Sequence, residues 1–300
     1  MSLQSLINSP LGIGLILTIG KIIPPRMGFS LADRTARFLT RKTQADFVRG
    51  ARANQWVVTG ESLAADALDD QVFENFRLTA RILYDLYHNI NDHDAIRQRV
   101  TISPKLTAFL ENRIGAGEGT LLVAPHLSNF DMAGRAIVLH GFDVQALSYP
   151  RPPGGYQWQN QLRKDAGMNI TPMSVESMRA AKARLKGGGA VLTGIDRPVE
   201  DTNYHPRFFG YPTNLPTSYV RMALQTNSAI VVIACVGTPL EDYYVECSDL
   251  IYLEQVDDPV AEIEVNAEKV LAEMEPFIRA QPEQWAMTYP VWPFALDKMP

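Results

Sequence analysis

His126 and Asp131 lie within ten residues, Ala124-Pro125-His126-Leu127-Ser128-Asn129-Phe130-Asp131-Met132-Ala133, and their types and spacing suit proton-transfer chemistry. An imidazole titrating near neutral pH takes a proton from a hydroxyl, while a carboxylate on its other ring nitrogen holds the tautomer and stabilises the imidazolium. Asp131 follows His126 with four residues between, on the first turn of the next element, where the helix dipole favours a carboxylate that reaches back toward the loop. A capped helix carrying an idle loop histidine has the same pattern, because the spacing is short enough to arise by chance. Ser128, two residues from His126, is a candidate nucleophile if the chemistry is hydrolytic.

The flanking elements give the motif its place. Gly119-Thr120-Leu121-Leu122-Val123 is short, apolar and β-branched, and reads as a buried strand; Met132–Leu139 has helical character. His126 therefore falls at the carboxyl end of a strand, where open α/β sheets place their ligand crevices. The remaining strand candidates are Val144–Tyr149, Ala190–Ile195, Ala229–Val236 and Tyr243–Cys247. Helical candidates alternate with them: Met132–His140, Tyr156–Ala166, Val175–Lys186, Pro216–Thr226 and a long one near Pro259–Ala280. That alternation predicts an α/β fold, a mostly parallel central sheet flanked by helices. Ser174 reads as an N-cap and Gly187 as the left-handed residue closing that helix, so Gly187-Gly188-Gly189 is a helix stop in preference to a phosphate cradle. Gly-x-Gly-x-x-Gly, Gly-x-x-x-x-Gly-Lys and Gly-x-Ser-x-Gly are all missing, which demotes dinucleotide, nucleotide and serine-hydrolase readings.

The first third is different. From Ser30 to about Asn91, apolar residues recur at three-to-four spacing between charges, and a further helix runs from Lys105 to about Arg113, so the part before about residue 115 is helical. His88 and His93 close it beside Asp92 and Asp94, a solvated helix end in preference to a metal site. Residues 1–20 carry no charged side chain, whereas 21–52 hold eight basic residues against two acidic, although the whole chain is net −5. The apolar stretch from Leu11 to Ile23, stopped by Pro24-Pro25, falls short of the ~20 residues that span a bilayer. It lacks the basic start and cleavage site of a signal peptide. We expect residues 1–25 to form an interfacial anchor, helical and membrane-associating, ahead of a single α/β domain over 26–300; an ordinary buried first helix is the alternative. The adjacent basic cluster favours an anionic membrane surface, at on the order of 1 kcal/mol per cation. Nucleic acid is not an expected partner. With 46% hydrophobic residues, 300 residues bury a sizeable core. Cys235 and Cys247 are too few for a disulfide framework, and Cys235 reads as core.

Four stretches carry a resemblance: Pro125 to Gly134 with its His-x4-Asp, then Ile195-Asp196-Arg197, Arg207-Phe208-Phe209-Gly210 with Pro216-Thr217, and Gln281-Pro282-Glu283-Gln284-Trp285. Together, in order and spacing over roughly residues 30–295, they resemble the bacterial lipid A biosynthesis acyltransferases of the lysophospholipid acyltransferase-like superfamily. That family includes the mycobacterial phosphatidylinositol mannoside acyltransferases. The resemblance implies His126 as catalytic base, Asp131 as its partner and Asp196 as an acid facing the same histidine. Arg163 falls where relatives hold a basic residue near the acceptor head, with a surface helix arginine as the alternative; Ser128, Asn129, Arg197 and Phe209 are further substrate-binding candidates. No metal and no cofactor is implied. The co-substrate is an acyl thioester, on coenzyme A or acyl carrier protein, and the acceptor a hydroxyl of a membrane glycolipid or phospholipid, at the cytoplasmic face of the inner membrane. A hydrolase using the same pair on water and a non-catalytic lipid binder are the other readings. Asp196→Asn is expected to lower turnover with little loss of thermal stability.

Overall fold

The computed structural model describes residues 20, 22–150, 154–200 and 202–300, so most of the expected anchor, residues 1–19 and 21, lies outside the described residues. The helical first third consists of α1 (Pro25–Thr40), α2 (Asp46–Val58), α3 (Ala65–His88), α4 (His93–Arg99) and, after the short strand β1 (Val100–Ile102), α5 (Pro104–Gly115). Proline at the first position starts α1, where its fixed φ suits a helix and its missing N–H costs nothing. Small residues then recur at four-residue spacing, Gly28, Ala32 and Ala36, and this buried strip lets α1 lie close on α3. A Cβ on Gly28 would come within 2.2 Å of the Tyr84 ring. Arg81 of α3 ties the pair together through a bidentate bond to Asp33.

The rest alternates: β2 (Thr120–Ala124), α6 (Phe130–Leu139), β3 (Val144–Ser148), α7 (Gly154–Asp165), β4 (Asn169–Pro172), α8 (Val175–Lys186), β5 (Ala190–Gly194), the hairpin β6 (Arg207–Phe208) and β7 (Tyr211–Pro212), α9 (Ser218–Thr226), β8 (Ala229–Thr238), β9 (Asp242–Cys247), α10 (Pro259–Ala280) and α11 (Ala295–Lys298). The main sheet has the order β1-β9-β8-β2-β5-β3-β4, parallel throughout except for the β8–β9 pair. This is the expected α/β class. Leu121 and Val123 pack into the core on one face of the sheet while Leu122 packs into the core on the other. Burial on both faces is why β2 reads as an unbroken apolar run. From β2 the chain passes over β5's place to β3 and β4, returns to fill that place, and then crosses to β8. The direction of strand order thus reverses beside β2, and a crevice opens at the carboxyl ends there.

Helices α8 and α10 match their expected limits, and Ser174 caps α8 in a capping box with Ser177. The left-handed residue after α8 is not Gly187, whose φ is −85°, but Gly188, at φ +83°. At Gly188 a Cβ would stand 2.4 Å from the Gly117 backbone, so glycine is demanded by close approach as well as by conformation. Strands β1 and β4 were not legible in the sequence, because three or four residues are too few to show alternation. Cys235 and Cys247 are both free and buried, and burial pushes the Cys235 thiol up to about 12.

Candidate active site

Parallel register builds the site. Ala124 of β2 pairs with Gly194 of β5, and two residues beyond each stand His126 and Asp196. Side chains at equal distance past paired positions on adjacent parallel strands are neighbours, and His126 Nδ1 lies 2.6 Å from Asp196 Oδ1. Gly194 makes room for the ring: a Cβ there would stand 3.1 Å from His126 Cε1. Phe130 packs edge-on against the imidazole with centroids 5.0 Å apart.

Asp196 is fully buried. Its other oxygen, Oδ2, accepts from the His126 backbone N–H at 2.7 Å and from Trp285 Nε1 at 2.8 Å. Burial alone would raise its pKa, but the attraction of His126 and the three donated hydrogen bonds outweigh that, and the carboxyl lies below its ordinary range. Burial pushes His126 down, and the facing carboxylate more than offsets it, so the imidazole sits above its ordinary value. An ionised Asp196 on Nδ1 requires Nδ1–H, leaving Nε2 as the acceptor; the His126 side chain is 30% exposed.

Asp131, expected to orient the ring, is engaged elsewhere. Arg163 of α7 donates to both its oxygens, Nε to Oδ1 at 2.6 Å and Nη2 to Oδ2 at 2.8 Å. The first helical turn after the loop faces α7, and Asp131 therefore meets a cation 32 residues away before it can meet the histidine beside it. Arg163 is buried rather than a surface arginine; burial works against its charge, but Asp131 prevails and raises its pKa. Asn160 also accepts from it at 2.9 Å.

Ser128, Asn129 and Phe209 do not line the cleft. Ser128 takes a left-handed φ of 48°, which turns its side chain away from His126, and its Oγ donates to the Gly237 carbonyl at 2.7 Å. Asn129 caps α6 by accepting from Met132 N–H. Phe209 packs edge-on against Phe208 and Trp292, under the Arg279 guanidinium. Phe208 touches Trp285, the indole that donates to Asp196, so these aromatics support the site through the scaffold. The Arg197 guanidinium lies over the Tyr149 and Tyr289 rings and does not line the cleft.

The residue that sequence reasoning missed is Trp285. Its segment clamps the histidine loop from outside: Leu127 and Trp285 form an antiparallel bridge, Ala286 N–H donates to the His126 carbonyl and Ser128 N–H to the Gln284 carbonyl. The segment is in turn gripped by the helical third, through Asn75 to the Glu283 and Trp285 carbonyls, Gln55 to the Pro282 carbonyl and Asn54 to those of Met287 and Tyr289. The available signal was the Gln281-Pro282-Glu283-Gln284-Trp285 stretch, which carries part of the resemblance but suggested no role for its tryptophan.

His126 stands on the wall of a cleft that continues between α6 and the sheet, about 790 Å³ with the open solvent at its mouth included. Away from His126, Asp131 and Arg163 its lining is largely apolar, including Gly134, Ile137, Leu192 and Ile233. Such a cleft suits a hydrocarbon chain with a reacting polar group at its mouth.

The sequence profile of the bacterial lipid A biosynthesis acyltransferase family matches residues 4–293. The chain belongs to that family. Among individual acyltransferases of related sequence, this family member is 28% identical over 130 residues to phosphatidylinositol mannoside acyltransferase of Mycobacterium tuberculosis, in each of two strains, covering 42% of this chain and 41% of the relative. The chain thus matches about two fifths of the length of those relatives. It is 22% identical over 220 residues to the protein of the same name from Mycolicibacterium smegmatis, covering 72% of this chain and 70% of the relative.

Proposed function

We propose that this protein is an acyltransferase moving a fatty acyl chain from a thioester, on coenzyme A or acyl carrier protein, to a hydroxyl of a membrane glycolipid or phospholipid. The observation that carries the reading is the His126–Asp196 pair at an apolar cleft, in a chain of this family. The names of the mycobacterial relatives point to a mannosylated phospholipid as the acceptor class. In the proposed reaction the acyl chain lies along Gly134, Ile137 and Ile233, bringing the thioester carbonyl to His126. Nε2 takes the proton of the acceptor hydroxyl, the oxygen attacks the carbonyl carbon, and Asp196 steadies the imidazolium. The backbone N–H groups of Phe130 and Asp131, at the open end of α6, are suited to the oxyanion. Collapse breaks the carbon–sulfur bond, and the departing thiolate recovers the proton from the imidazolium. The decisive assay follows a labelled acyl chain from its thioester into a lipid extract. Labelled lipid is expected only when the acceptor is present; free fatty acid formed equally without acceptor would establish hydrolysis instead.

Attachment to the cytoplasmic face of an anionic membrane, as a peripheral protein, belongs to the same proposal. Helix α1 supports it: its outward side presents Met27, Leu31, Arg34, Phe38 and Arg41 at helical spacing, Phe38 is 54% exposed, and Lys42 lies 4.5 Å over the Phe38 ring. An apolar strip edged by cations matches anionic headgroups above acyl chains. Among the described residues no helix is long and apolar enough to cross a membrane. Replacing Met27, Leu31 and Phe38 together by Ser is expected to weaken binding to phosphatidylglycerol vesicles on the order of tenfold or more, given ~1.5–3 kcal/mol for each fully buried apolar side chain. High salt should weaken wild-type binding partially, because screening acts on the charges and not on burial. Equal sedimentation of the triple variant and wild type would refute this surface.

A further inference from the structure

Arg197 is the residue next to Asp196, yet it takes no part in holding the histidine. Its guanidinium carbon lies 4.2 Å from the Tyr289 ring centroid and 5.0 Å from that of Tyr149. Both tyrosines are exposed, at 50% and 44%. The three residues come from three segments that build the site. Tyr149 follows Ser148, which lines the cleft; Arg197 follows the acid of the His–Asp pair; Tyr289 lies just beyond Ala286, whose N–H holds the His126 carbonyl. The group therefore sits at the carboxyl ends of β3 and β5, beside the mouth.

The two arginines near His126 differ in one respect. Arg163 is engaged by Asp131, which offsets its charge, and by Asn160. Among the described residues Arg197 has no carboxylate within ion-pair distance and makes no side-chain hydrogen bond, although two aromatic rings lie against it. A guanidinium lying over aromatic rings is held by their faces through its cationic carbon, while its planar fork of N–H donors stays available to a ligand. That is the geometry that grips two oxygens of a tetrahedral oxyanion bidentately.

We propose that Tyr149, Arg197 and Tyr289 form a clamp for a phosphate group of a substrate, set beside the reacting centre. The assignment to a substrate rests on the acyl-transfer reading; the phosphate site itself does not. Arg197 directly follows Asp196 and Tyr149 directly follows Ser148 of the cleft wall, so the phosphate would bind beside the cleft and not inside it. Two sources have this chemistry: the headgroup phosphate of a phospholipid acceptor and the phosphate of the donor's phosphopantetheine arm.

The experiment compares wild type with Arg197→Gln, Arg197→Lys and Tyr289→Leu. Calorimetric titrations use 4′-phosphopantetheine against pantetheine and glycerophosphoinositol against inositol; the phosphate-bearing member of one pair is expected to bind wild type at least tenfold more tightly than its phosphate-free counterpart. Arg197→Gln should erase that difference, Arg197→Lys should keep part of it because a point charge remains without the fork, and Tyr289→Leu should reduce it severalfold. In turnover, Arg197→Gln should raise KM for the phosphate-bearing substrate about tenfold with kcat nearly unchanged, the pattern of binding that is equal in ground and transition states. A pantetheine thioester as donor separates the sources. If the phosphate is the donor's, the variant and wild type become equal; if it is the acceptor's, the penalty persists. Wild type with no phosphate preference in either pair, or Arg197→Gln with unchanged titrations and unchanged KM values, overturns the clamp, as does a lowered melting temperature with phosphate binding intact, which makes Arg197 a scaffold residue. Phosphate binding lost in Arg197→Gln, in a protein whose wild type transfers no acyl group, would retain the clamp and discard the acyl-transfer reading.

Discussion

His126→Ala is expected to lower acyl transfer on the order of 10²–10⁴-fold, the scale of a positioned general base, while the protein stays folded. The fold does not depend on the ring, since the loop is held through backbone groups, Leu127 to Trp285 and Ser128 N–H to Gln284. Ser128→Ala should be much milder. Its hydroxyl points to the Gly237 carbonyl and not to the cleft, and a nucleophile has to reach the carbonyl carbon. Intact-protein mass spectrometry without acceptor gives the contrary outcome: an acyl adduct on wild type that disappears in Ser128→Ala would replace direct transfer by a covalent route. The pH profile tests the same base. Catalysis needs a neutral Nε2, and the carboxylate of Asp196 holds His126 above its ordinary value against the opposing effect of burial. The acidic limb of kcat/KM should therefore lie above the usual histidine range, activity rising as pH climbs through the raised pKa. For stability the sign is reversed. The His126 contribution is fully present below the unfolded pKa and lost as pH rises through the folded one, whereas that of Asp196, with a depressed pKa, is lost as pH falls through its folded value.

Asp196→Asn is expected to lose both activity and stability. The sequence alone suggested a turnover defect with little change in melting temperature, but the acid is fully buried and receives three N–H groups. An amide has one accepting oxygen and would turn an NH₂ toward donors, leaving buried donors unsatisfied at about 1–3 kcal/mol each. A drop of several degrees follows for a chain of this size, at roughly 2–4 °C per kcal/mol. Turnover should fall by up to about 10⁴, because the imidazole loses the group that sets its tautomer. The acidic limb should also move down, since the carboxylate that raises the ring's pKa against burial is then gone. Scanning calorimetry beside the pH–rate profile checks all three. An unchanged melting temperature with an unmoved limb would show that Asp196 is not the orienting acid. Asp131→Asn should move the limb down less than Asp196→Asn does, because Asp131 is paired with Arg163 and acts on the ring through its charge and not through a hydrogen bond.

Local physics made much of this protein legible in its residues. The buried run of β2, the helix after it, the α8 limits with their serine cap, the span of α10 and the core position of Cys235 all follow from periodicity, capping and apolar character, which act over a few residues. The alternation of those elements carried the α/β class, and His126 stood out because the carboxyl end of a buried strand is where such sheets open their ligand crevices. The partner of that imidazole was not decided locally. Proximity in sequence suggested Asp131, but the first helical turn carries it to Arg163, while parallel pairing of Ala124 with Gly194 sets Asp196, 70 residues away, on the ring. The left-handed turn at Ser128, the Trp285 clamp on the loop and the placing of Arg197 over two tyrosine rings belong to the same class. Each joins segments that no short-range pattern relates, and only the register of the strands and the packing of the helical third on the C-terminal segment bring them into contact.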